Sequence, residues 1–312
     1  MNRAEILSST EYVLEKAGYQ LSKRCQTNCS CFDLAAKDEN KLLFLKVHSD
    51  IDKTCLNEVA ELQKVSGCFS AVPLFVAQSS RRKPLEDDTV YNRYDVCTIT
   101  AKTFADILLR GAYPLVEAGP GGYYIALDGQ SIRKRRREMG LSVGKLAELA
   151  GLSVRTLYNY ERGLAKASVP VAYRLEWLLG VPVIQSTDVF HGPEQMCLLT
   201  SARQLFAKRR LLKEVFRKFA EFDLCVTSTG RAPFDFIVRC PNEGVRIVGG
   251  LVGANEPDLD KRVNEIKNLG ALVGAQPVFI SYDENIPTKR TQVLTQKEFK
   301  KIKSPKELLT LS

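Results

Sequence analysis

Apolar and polar positions along this chain repeat one order of elements: helix, strand, strand, helix, strand. In the N-terminal part, helical spacing predicts an amphipathic helix near residues 6–17. Strand-like runs follow at 31–36 and 42–47, separated by a polar turn. A second helix is predicted at 54–65 and a buried strand at 72–77. This alternation predicts a small α/β unit.

The C-terminal part shows the same order. Its predicted elements are a helix at 205–219, strands at 234–238 and 245–252, a helix at 259–269 and a strand at 277–280, with a turn at 241–244.

The two parts also align residue by residue. Phe32-Asp33-Leu34-Ala35 matches Phe234-Asp235-Phe236-Ile237, and Glu61-Leu62-Gln63 matches Glu265-Ile266-Lys267. Further along, 96–100 with Phe104 matches 292–295 with Phe299. The pattern favours an internal duplication, the alternative being two independent α/β domains with similar patterning.

Between these parts, residues 129–183 carry a series of short helical patterns. Helices are predicted at 130–139, 143–150, 154–162 and 169–179, and glycines end most of them. Asp128, Ser142 and Ser153 stand at the N-cap positions of the first three. The preceding glycine-rich stretch lacks the Gly-Lys-Ser/Thr ending of a phosphate loop, so it predicts a tight turn and a strand at 123–127.

The apolar spacing within these helices defines a specific packing. Ala147 is small enough for two helices to cross closely, and Gly151 stands four residues later, in the turn. Leu157, ten residues after Ala147, is expected to fill the angle between the helices. Two helices joined by a short glycine turn predict a helix-turn-helix.

Charge supports a polyanionic partner for the same segment. The chain has a formal net charge of +9, and residues 129–183 contain ten Lys/Arg against four Asp/Glu, a local net charge of +6. Hydrophobic residues are 45% and charged residues 26%, as in globular proteins, and 312 residues predict two or three domains. No apolar run approaches the roughly 18 residues of a membrane span. Nine cysteines without a secretory signal predict reduced thiols and a cytoplasmic protein.

The helical motif resembles a known family. The residues Gly140-Leu141-Ser142, Leu146-Ala147, Ala150-Gly151-Leu152-Ser153, Thr156-Leu157 and Tyr160-Glu161-Arg162-Gly163 resemble the lambda-repressor/Cro (XRE) helix-turn-helix family over about 55 residues. With Gly121-Gly122-Tyr123-Tyr124 before the helices, the whole chain resembles an archaeal family of predicted XRE-type transcriptional regulators.

The resemblance implies a DNA-reading role for the third helix. In such units this helix enters the major groove, which would make Val154, Arg155, Tyr158 and Asn159 the base-contacting residues. The same geometry would place Ser142, Ser153, Arg162 and Lys166 at phosphates. Glu161 is expected to be a structural partner, and at most half of the run 133–137 is expected to face DNA. Val143 departs from the glutamine usual in the family.

Two other functions stay open. The order of the α/β elements, with Asp33 and Lys46, fits part of the PD-(D/E)XK nuclease pattern, but Phe44 stands where the second carboxylate is needed. The second copy keeps Asp235, while 246–250 offers no acid-x-lysine pair. A DNA-docked protein-interaction adaptor is the other alternative.

Cysteine and histidine usage predicts no metal centre, no cofactor and no catalytic residues. Cys25, Cys29 and Cys31 lack the spacing of a zinc site and are expected to be partly buried free thiols. Only His48 and His191 are present, so no nucleophile–histidine arrangement can be argued.

The sequence therefore predicts a mixed α/β protein with a central all-α helix-turn-helix between two related units that resemble a degenerate restriction-endonuclease-like fold. The predicted domains are 1–112, a glycine-rich turn and strand linker at 113–127, the helix-turn-helix at 128–183, and 184–312. The predicted protein is a non-enzymatic, sequence-specific transcriptional regulator that binds double-stranded DNA as a homodimer. The α/β units are expected to serve dimerisation or to bind an effector or protein partner.

Overall fold

The computed structural model describes residues 2–26, 30–190, 210–240, 244–253, 256, 258–281, 293–304 and 307. These residues form two units. The first unit takes its residues from 2–13, 48–52 and 75–190, and the second takes its residues from 14–47, 53–74 and 210–307. Each unit is described by itself below.

The N-terminal α/β segment begins with a long helix and continues into alternating strands and helices. Its elements are α1 Arg3–Lys16, β1 Gln20–Leu21, β2 Leu34–Lys37, β3 Leu42–Asp50, α2 Leu56–Phe69, β4 Val72–Ser80, β5 Lys83–Pro84, β6 Thr89–Arg93, β7 Val96–Ile99 and α3 Ala101–Arg110, with a 3-10 turn at Ile51–Lys53.

A hairpin and four helices make up the middle of the chain. Its elements are β8 Val116–Gly119, β9 Gly122–Leu127, α4 Gly129–Glu138, α5 Val143–Ala150, α6 Val154–Glu161, β10 Ala167–Ser168, α7 Val169–Leu179 and β11 Ile184–Gln185.

The C-terminal segment is again alternating. Its elements are α8 Arg210–Ala220, β12 Cys225–Ser228, β13 Phe236–Cys240, β14 Gly244–Val252, α9 Leu259–Val273, β15 Gln276–Ser281, β16 Val293–Thr295 and α10 Gln296–Lys301.

The two sheets share a central strand order. The first sheet runs β1-β2-β3-β4-β7-β6-β8-β9-β10, with β5 beside β4 and β11 beside β9, and the second runs β12-β13-β14-β15-β16. The strands β2-β3-β4-β7 therefore correspond to β13-β14-β15-β16. We call the α/β elements around the first set the first copy and those around the second set the second copy. In each copy the first pair is antiparallel, so that Ala35 lies opposite Phe44 and Ile237 lies opposite Val248.

Local details of the two copies agree as well. The Asp33 amide donates to the Leu45 carbonyl and the Asp235 amide donates to the Gly249 carbonyl. A threonine, Thr100 in one copy and Thr295 in the other, caps the helix that follows the last of the four strands. These correspondences confirm the predicted mixed α/β fold, in which two related α/β copies follow one another along the chain.

Two apolar cores involve the middle and the C-terminal elements. One joins the four middle helices to strand β9; the other joins α8 and α10 to the second sheet. The first core contains Ile125, Leu127, Ile132, Leu146, Ala147, Ala150, Leu157, Tyr160, Ala172, Leu175 and Leu179; the second contains Leu212, Val215, Phe219, Phe236, Val238, Ile247, Ile280 and Phe299. Burying such side chains supplies the main driving force for folding each core.

Most predicted bounds hold within a few residues. The strand predicted at 31–36 begins only at Leu34, because the preceding residues form a loop. The helix predicted at 54–65 extends to Phe69 and ends at Ser70, whose φ of 52° is left-handed. Residues 241–243 of the predicted turn and residues 205–209 of the predicted helix lie outside the described residues.

Candidate nucleic-acid interface

Three side-chain caps start the helices of the helix-turn-helix. The Asp128 carboxylate accepts from the backbone amides of Gln130 and Ser131, each at 3.0 Å, at the start of α4. Ser142 Oγ accepts from the Lys145 amide at the start of α5, and Ser153 Oγ accepts from the Thr156 amide at the start of α6, again at 3.0 Å. Each cap satisfies a backbone donor that the helix itself leaves unpaired.

A glycine turn and close packing set the angle between α5 and α6. Gly151 ends α5 with a φ of 66°, a left-handed conformation that costs glycine little. Leu157 is fully buried between the helices, as expected, next to Ala147 and Ala150. The start of α4 also approaches α6 closely, since any side chain at Gly129 would collide with the Tyr160 carbonyl oxygen.

A buried ion pair connects α4 to α6. Arg136 Nε lies 2.5 Å from Glu161 Oε1, Nη2 lies 3.0 Å from Oε2, and Nη1 donates to the Leu141 carbonyl at 2.9 Å. The hydrogen bonds to Glu161 raise the pKa of Arg136 above its usual value. Glu161 is therefore a structural partner, as predicted, and Arg136 is a buried member of the run 133–137.

The other basic side chains of α4 point in two directions, toward α7 or toward solvent. Arg135 donates to the Leu179 carbonyl at 3.0 Å, which ties α4 to the end of α7. Arg133, Lys134 and Arg137 are exposed. Three of the five residues at 133–137 are thus exposed, and the expectation that at most half of this run faces DNA stays a prediction.

The outer face of α6 presents the four predicted base-contacting residues. Val154 is 55% exposed and Tyr158 is 49% exposed, while Arg155 is exposed and Asn159 is half-buried. Within the described part of the chain the Arg155 guanidinium makes no hydrogen bond or ion pair. This face therefore combines an uncommitted cation, an amide, an aromatic ring and an aliphatic side chain.

Of the four predicted phosphate-contacting residues, two have partners that affect their availability. The Arg162 guanidinium carbon lies 5.4 Å from the centre of the Tyr158 ring, and Nη1 lies 3.4 Å from Tyr158 Oη. Lys166 forms an ion pair with Glu117 of β8. Ser142 and Ser153 are exposed, and their hydroxyl oxygens already accept from helix amides.

A strand contributes to this site in a way that the helical pattern did not indicate. Ala167 and Ser168 of β10 pair with Ile125 and Tyr124 of β9, and β11 pairs with the end of the same strand. Ile125 and Leu127 are buried in the helical core. The alternating apolar residues at 125 and 127 were the only sequence signal for this packing.

The nuclease-like remnant of the first copy is a closed ion-pair cluster. Lys46 Nζ lies 3.3 Å from Asp33 Oδ1 and 3.1 Å from Glu58 Oε1, and it also donates to the Ser30 carbonyl. Asp33 Oδ2 accepts from the Val47 amide at 2.8 Å. Sequence reasoning missed Glu58, because its pairing with Lys46 is a tertiary contact.

The second copy replaces this cluster with a different cation. Asp235 Oδ2 accepts from the Leu251 amide at 2.7 Å, as Asp33 does from Val47, and it pairs with the Arg262 guanidinium. Arg262 comes from α9, at the helix position that corresponds to Glu58, and also pairs with Glu256. In both copies the aspartate is bound to a protein cation.

The cysteines of the N-terminal loop are buried thiols where the structure describes them. Cys25 and Cys31 are buried and free, which confirms the expectation for these two, and burial raises the pKa of each. Cys29 and His191 lie outside the described residues. Across the described ranges, no cluster of three or more His, Cys, Asp or Glu side chains is placed to hold a metal ion. No described helix has the length and apolarity needed to cross a bilayer.

Family models match the two kinds of domain that the geometry shows. A helix-turn-helix model matches residues 132–184, and a PD-(D/E)XK superfamily domain model matches residues 3–114. The fold and site therefore define a helix-turn-helix protein that also carries a PD-(D/E)XK-type domain.

Relatives extend over the whole chain. A predicted HTH-type transcriptional regulatory protein of Pyrococcus horikoshii is 31% identical over 100% of this chain and 98% of its own length. A protein of the same description from Methanothermobacter thermautotrophicus is 30% identical over 90% of this chain and 86% of its own length. The chain belongs to this family of archaeal HTH-type transcriptional regulatory proteins.

Solved structures match a shorter part of the chain. The restriction-modification controller protein C.AhdI from Aeromonas hydrophila is 34% identical and covers 17% of this chain and 80% of its own, with a TM-score of 0.17. The biofilm master regulator SinR, solved in complex with DNA, is 35% identical and covers 17% of this chain and 86% of its own, with a TM-score of 0.16.

Proposed function

We propose that this protein is a sequence-specific DNA-binding transcriptional regulator whose helix α6 lies in the major groove. In helix-turn-helix proteins the second helix of the motif presents its N-terminal side chains to base edges. Val154, Arg155, Tyr158 and Asn159 are the residues assigned to base contacts. Membership of a family of transcriptional regulatory proteins and the matching helix-turn-helix model support this function.

The observation that carries the proposal is the exposed, uncommitted guanidinium of Arg155 at the start of α6. An arginine in the major groove can donate two hydrogen bonds to guanine O6 and N7, the commonest specific contact. A guanidinium held by an ion pair, such as that of Arg136, would first have to break the pair. Asn159 on the same helix offers the amide that suits adenine.

Ser142, Ser153, Arg162 and Lys166 are assigned to phosphates. The N-termini of α5 and α6 add partial positive charge beside the two serines. Arg162 stacks on Tyr158, so its charge stands next to the base-contacting face. Lys166 is paired with Glu117, so a phosphate would have to replace that carboxylate.

The deciding experiment selects bound sites from randomised duplex DNA and then measures affinities for the selected site and for a scrambled duplex. Arg155→Ala is expected to weaken the selected site roughly tenfold to a hundredfold, the loss of one bidentate base contact of about 1–3 kcal/mol. Binding to the scrambled duplex should change much less, since it depends on phosphates.

Arg110→Ala provides the matched control. Arg110 lies on α3, outside the helix-turn-helix, and its side chain is exposed, so this variant removes the same charge without touching α6. Affinity for both duplexes should be unchanged. Equal weakening of both duplexes by Arg155→Ala would remove Arg155 from the base-contacting set, and failure to select any sequence would favour the adaptor function.

The proposal includes a homodimer. Helix-turn-helix regulators commonly bind two half-sites about one helical turn apart, and a two-fold protein matches such a site. Light scattering should show twice the chain mass at micromolar concentration, and the selected DNA should contain an inverted repeat. A monomer with and without DNA, together with a single unrepeated half-site, would contradict the dimer.

Nuclease activity is the second candidate function, because the PD-(D/E)XK model matches residues 3–114. We propose that the domain serves the regulator without catalysis. Phe44 is buried where a metal-binding carboxylate would be needed, and Lys46 is held by Asp33 and Glu58. The α/β copies are then available for dimerisation or for an effector.

A further inference from the structure

Within the second unit, a helix of each α/β copy contacts a loop of the other. Glu61 Oε1 on α2 of the first copy accepts from the Gly230 backbone amide at 2.7 Å. Glu265 Oε1 on α9 of the second copy accepts from the Gln26 backbone amide at 3.0 Å. Glu61 and Glu265 occupy matching positions in the internal repeat, and each accepts from the loop that precedes the aspartate of the opposite copy.

Other contacts surround these two hydrogen bonds. The Cys31 amide donates to the Arg231 carbonyl at 2.7 Å, which joins the two loops directly. The rings of Phe69 and Phe234 pack edge to face, with centroids 6.2 Å apart. Polar, backbone and aromatic contacts thus all connect the copies.

Part of the contact region is buried, although the donor residues Gln26 and Gly230 are themselves exposed. Cys31 and Phe32 in one loop and Phe234 in the other are at most 1% exposed, and Glu265 is 4% exposed. A carboxylate as buried as that of Glu265 is stable only when it is hydrogen-bonded or ion-paired. The hydrogen bond from the Gln26 amide therefore helps to stabilise it.

We infer that the two α/β copies form an intramolecular dimer with an isologous interface. In this dimer the helix-and-loop face of each copy binds the helix-and-loop face of the other. In an isologous interface the same surface of each partner contacts that of the other, and here the matching helix residues Glu61 and Glu265 each accept from the loop of the opposite copy. Gene duplication followed by pairing places in one chain an interface that separate copies would form as a homodimer.

The nuclease-like remnants lie next to the contacting loops. Each contacting loop leads directly into the aspartate of its own copy, Asp33 or Asp235, and Lys46 donates to Ser30 in the first loop. A metal-dependent site has to admit water and its substrate. Asp33 and Asp235 are only 4% and 7% exposed, so neither carboxylate is open to water and a substrate.

The test is hydrogen exchange of the full chain, resolved by mass spectrometry. In Glu265→Ala, amides in the loop around Gln26 and 30–33 should exchange at least ~tenfold faster than in the wild type, because the loop loses a charged acceptor. In Glu61→Ala, amides at 228–235 should accelerate in the same way. Amides of α5 and α6 should not change in either variant.

Matched variants separate this effect from general damage. Glu265→Gln keeps an acceptor oxygen and should retain most of the loop protection, while Glu221→Ala removes an exposed carboxylate and should change neither loop. If Glu265→Ala fails to fold, Lys261→Ala gives a milder form of the test. Lys261 Nζ donates to Gln26 Oε1 at 2.7 Å from an exposed position, so its loss should also accelerate the first loop.

Two results would overturn the inference. One is faster exchange confined to the helix that carries each substitution, with the opposite loop unchanged. The other is protection of the loops that is lost when the wild-type chain is diluted, since contacts between separate chains depend on concentration and contacts within one chain do not. Neither result depends on whether the chain binds DNA, so the regulatory function is tested separately.

Discussion

Asp128 shows how one residue links local sequence to the stability of the DNA-binding helices. Its carboxylate caps α4 by accepting from the Ser131 hydroxyl and from the amides of Gln130 and Ser131. The hydrogen bond from the Ser131 hydroxyl is the largest cause that lowers the pKa of Asp128 below its ordinary value of 3.8, and the amides lower it further. A lowered pKa means that folding favours the ionised form.

This gives a prediction with a definite sign. Asp128→Ala should lower the free energy of unfolding of the helical region by about 1 kcal/mol near neutral pH. Because the folded pKa is lowered, the stabilisation is present above 3.8 and is lost as the pH falls through the folded value. Urea denaturation of wild type and variant, followed by far-ultraviolet circular dichroism, should show a difference that shrinks in acid.

Asp128→Asn is the control for this experiment, since it keeps a capping oxygen without a titrating group. It should be more stable than Asp128→Ala, and the difference between these two variants should not change with pH. A difference between wild type and Asp128→Ala that is equally large at about pH 2 and near neutrality would contradict the role of the carboxylate charge.

The candidate site could be predicted at residue level only where side-chain direction follows from helical position. Arg155 and Tyr158 on the outer face of α6 follow from the positions of the buried residues Leu157 and Tyr160 on the same helix. The ion pair of Lys166 with Glu117 did not follow, because it joins residues far apart in sequence. Such contacts depend on the tertiary fold.

At the scale of elements, local signals determined what could be predicted. The helices α5 and α7 have the predicted bounds, because helical spacing and a glycine stop mark both of them and Ser142 caps the start of α5. The strands β6 and β8 were not predicted. Their sequences lack clear alternation, although each pairs with the next strand of the chain, β6 with β7 and β8 with β9.

The strand β9 shows the same limit for packing. Its position was predicted from the glycine turn before it, but its side chains were assigned to a linker. In the structure Ile125 and Leu127 enter the core of the helical region. Alternation of apolar and polar residues identifies a half-buried strand. It does not identify the surface against which the strand packs.

At the scale of the whole molecule, the repeat in the sequence predicted two related units but not their pairing. Matching residues such as Glu61 and Glu265 are visible in an internal alignment, whereas the hydrogen bonds that they make to opposite loops require the fold. The same is true of Arg262, which supplies to Asp235 the cation that Lys46 supplies to Asp33. Each copy keeps the charge balance by a different residue.

The charge balance between Lys46 and the carboxylates of Asp33 and Glu58 gives a prediction. It distinguishes a structural ion-pair cluster from a catalytic centre. Lys46→Ala would leave the Asp33 and Glu58 carboxylates buried without their cation, which costs about 3–5 kcal/mol for a buried pair. A calorimetric scan should therefore show a lower unfolding temperature for the variant. The exposed Lys102 provides the control, since Lys102→Ala removes the same charge and should leave the temperature unchanged.

The same variant decides the nuclease question. Plasmid DNA incubated with Mg²⁺ or Mn²⁺ should stay intact with wild type and with Lys46→Ala alike, because Phe44 stands in place of the second carboxylate that would hold the metal. Metal-dependent nicking by the wild type that disappears in a folded, equally stable Lys46→Ala protein would show the opposite. Lys46 would then act on DNA, and the ion pairs with Asp33 and Glu58 would describe a resting state of an active centre.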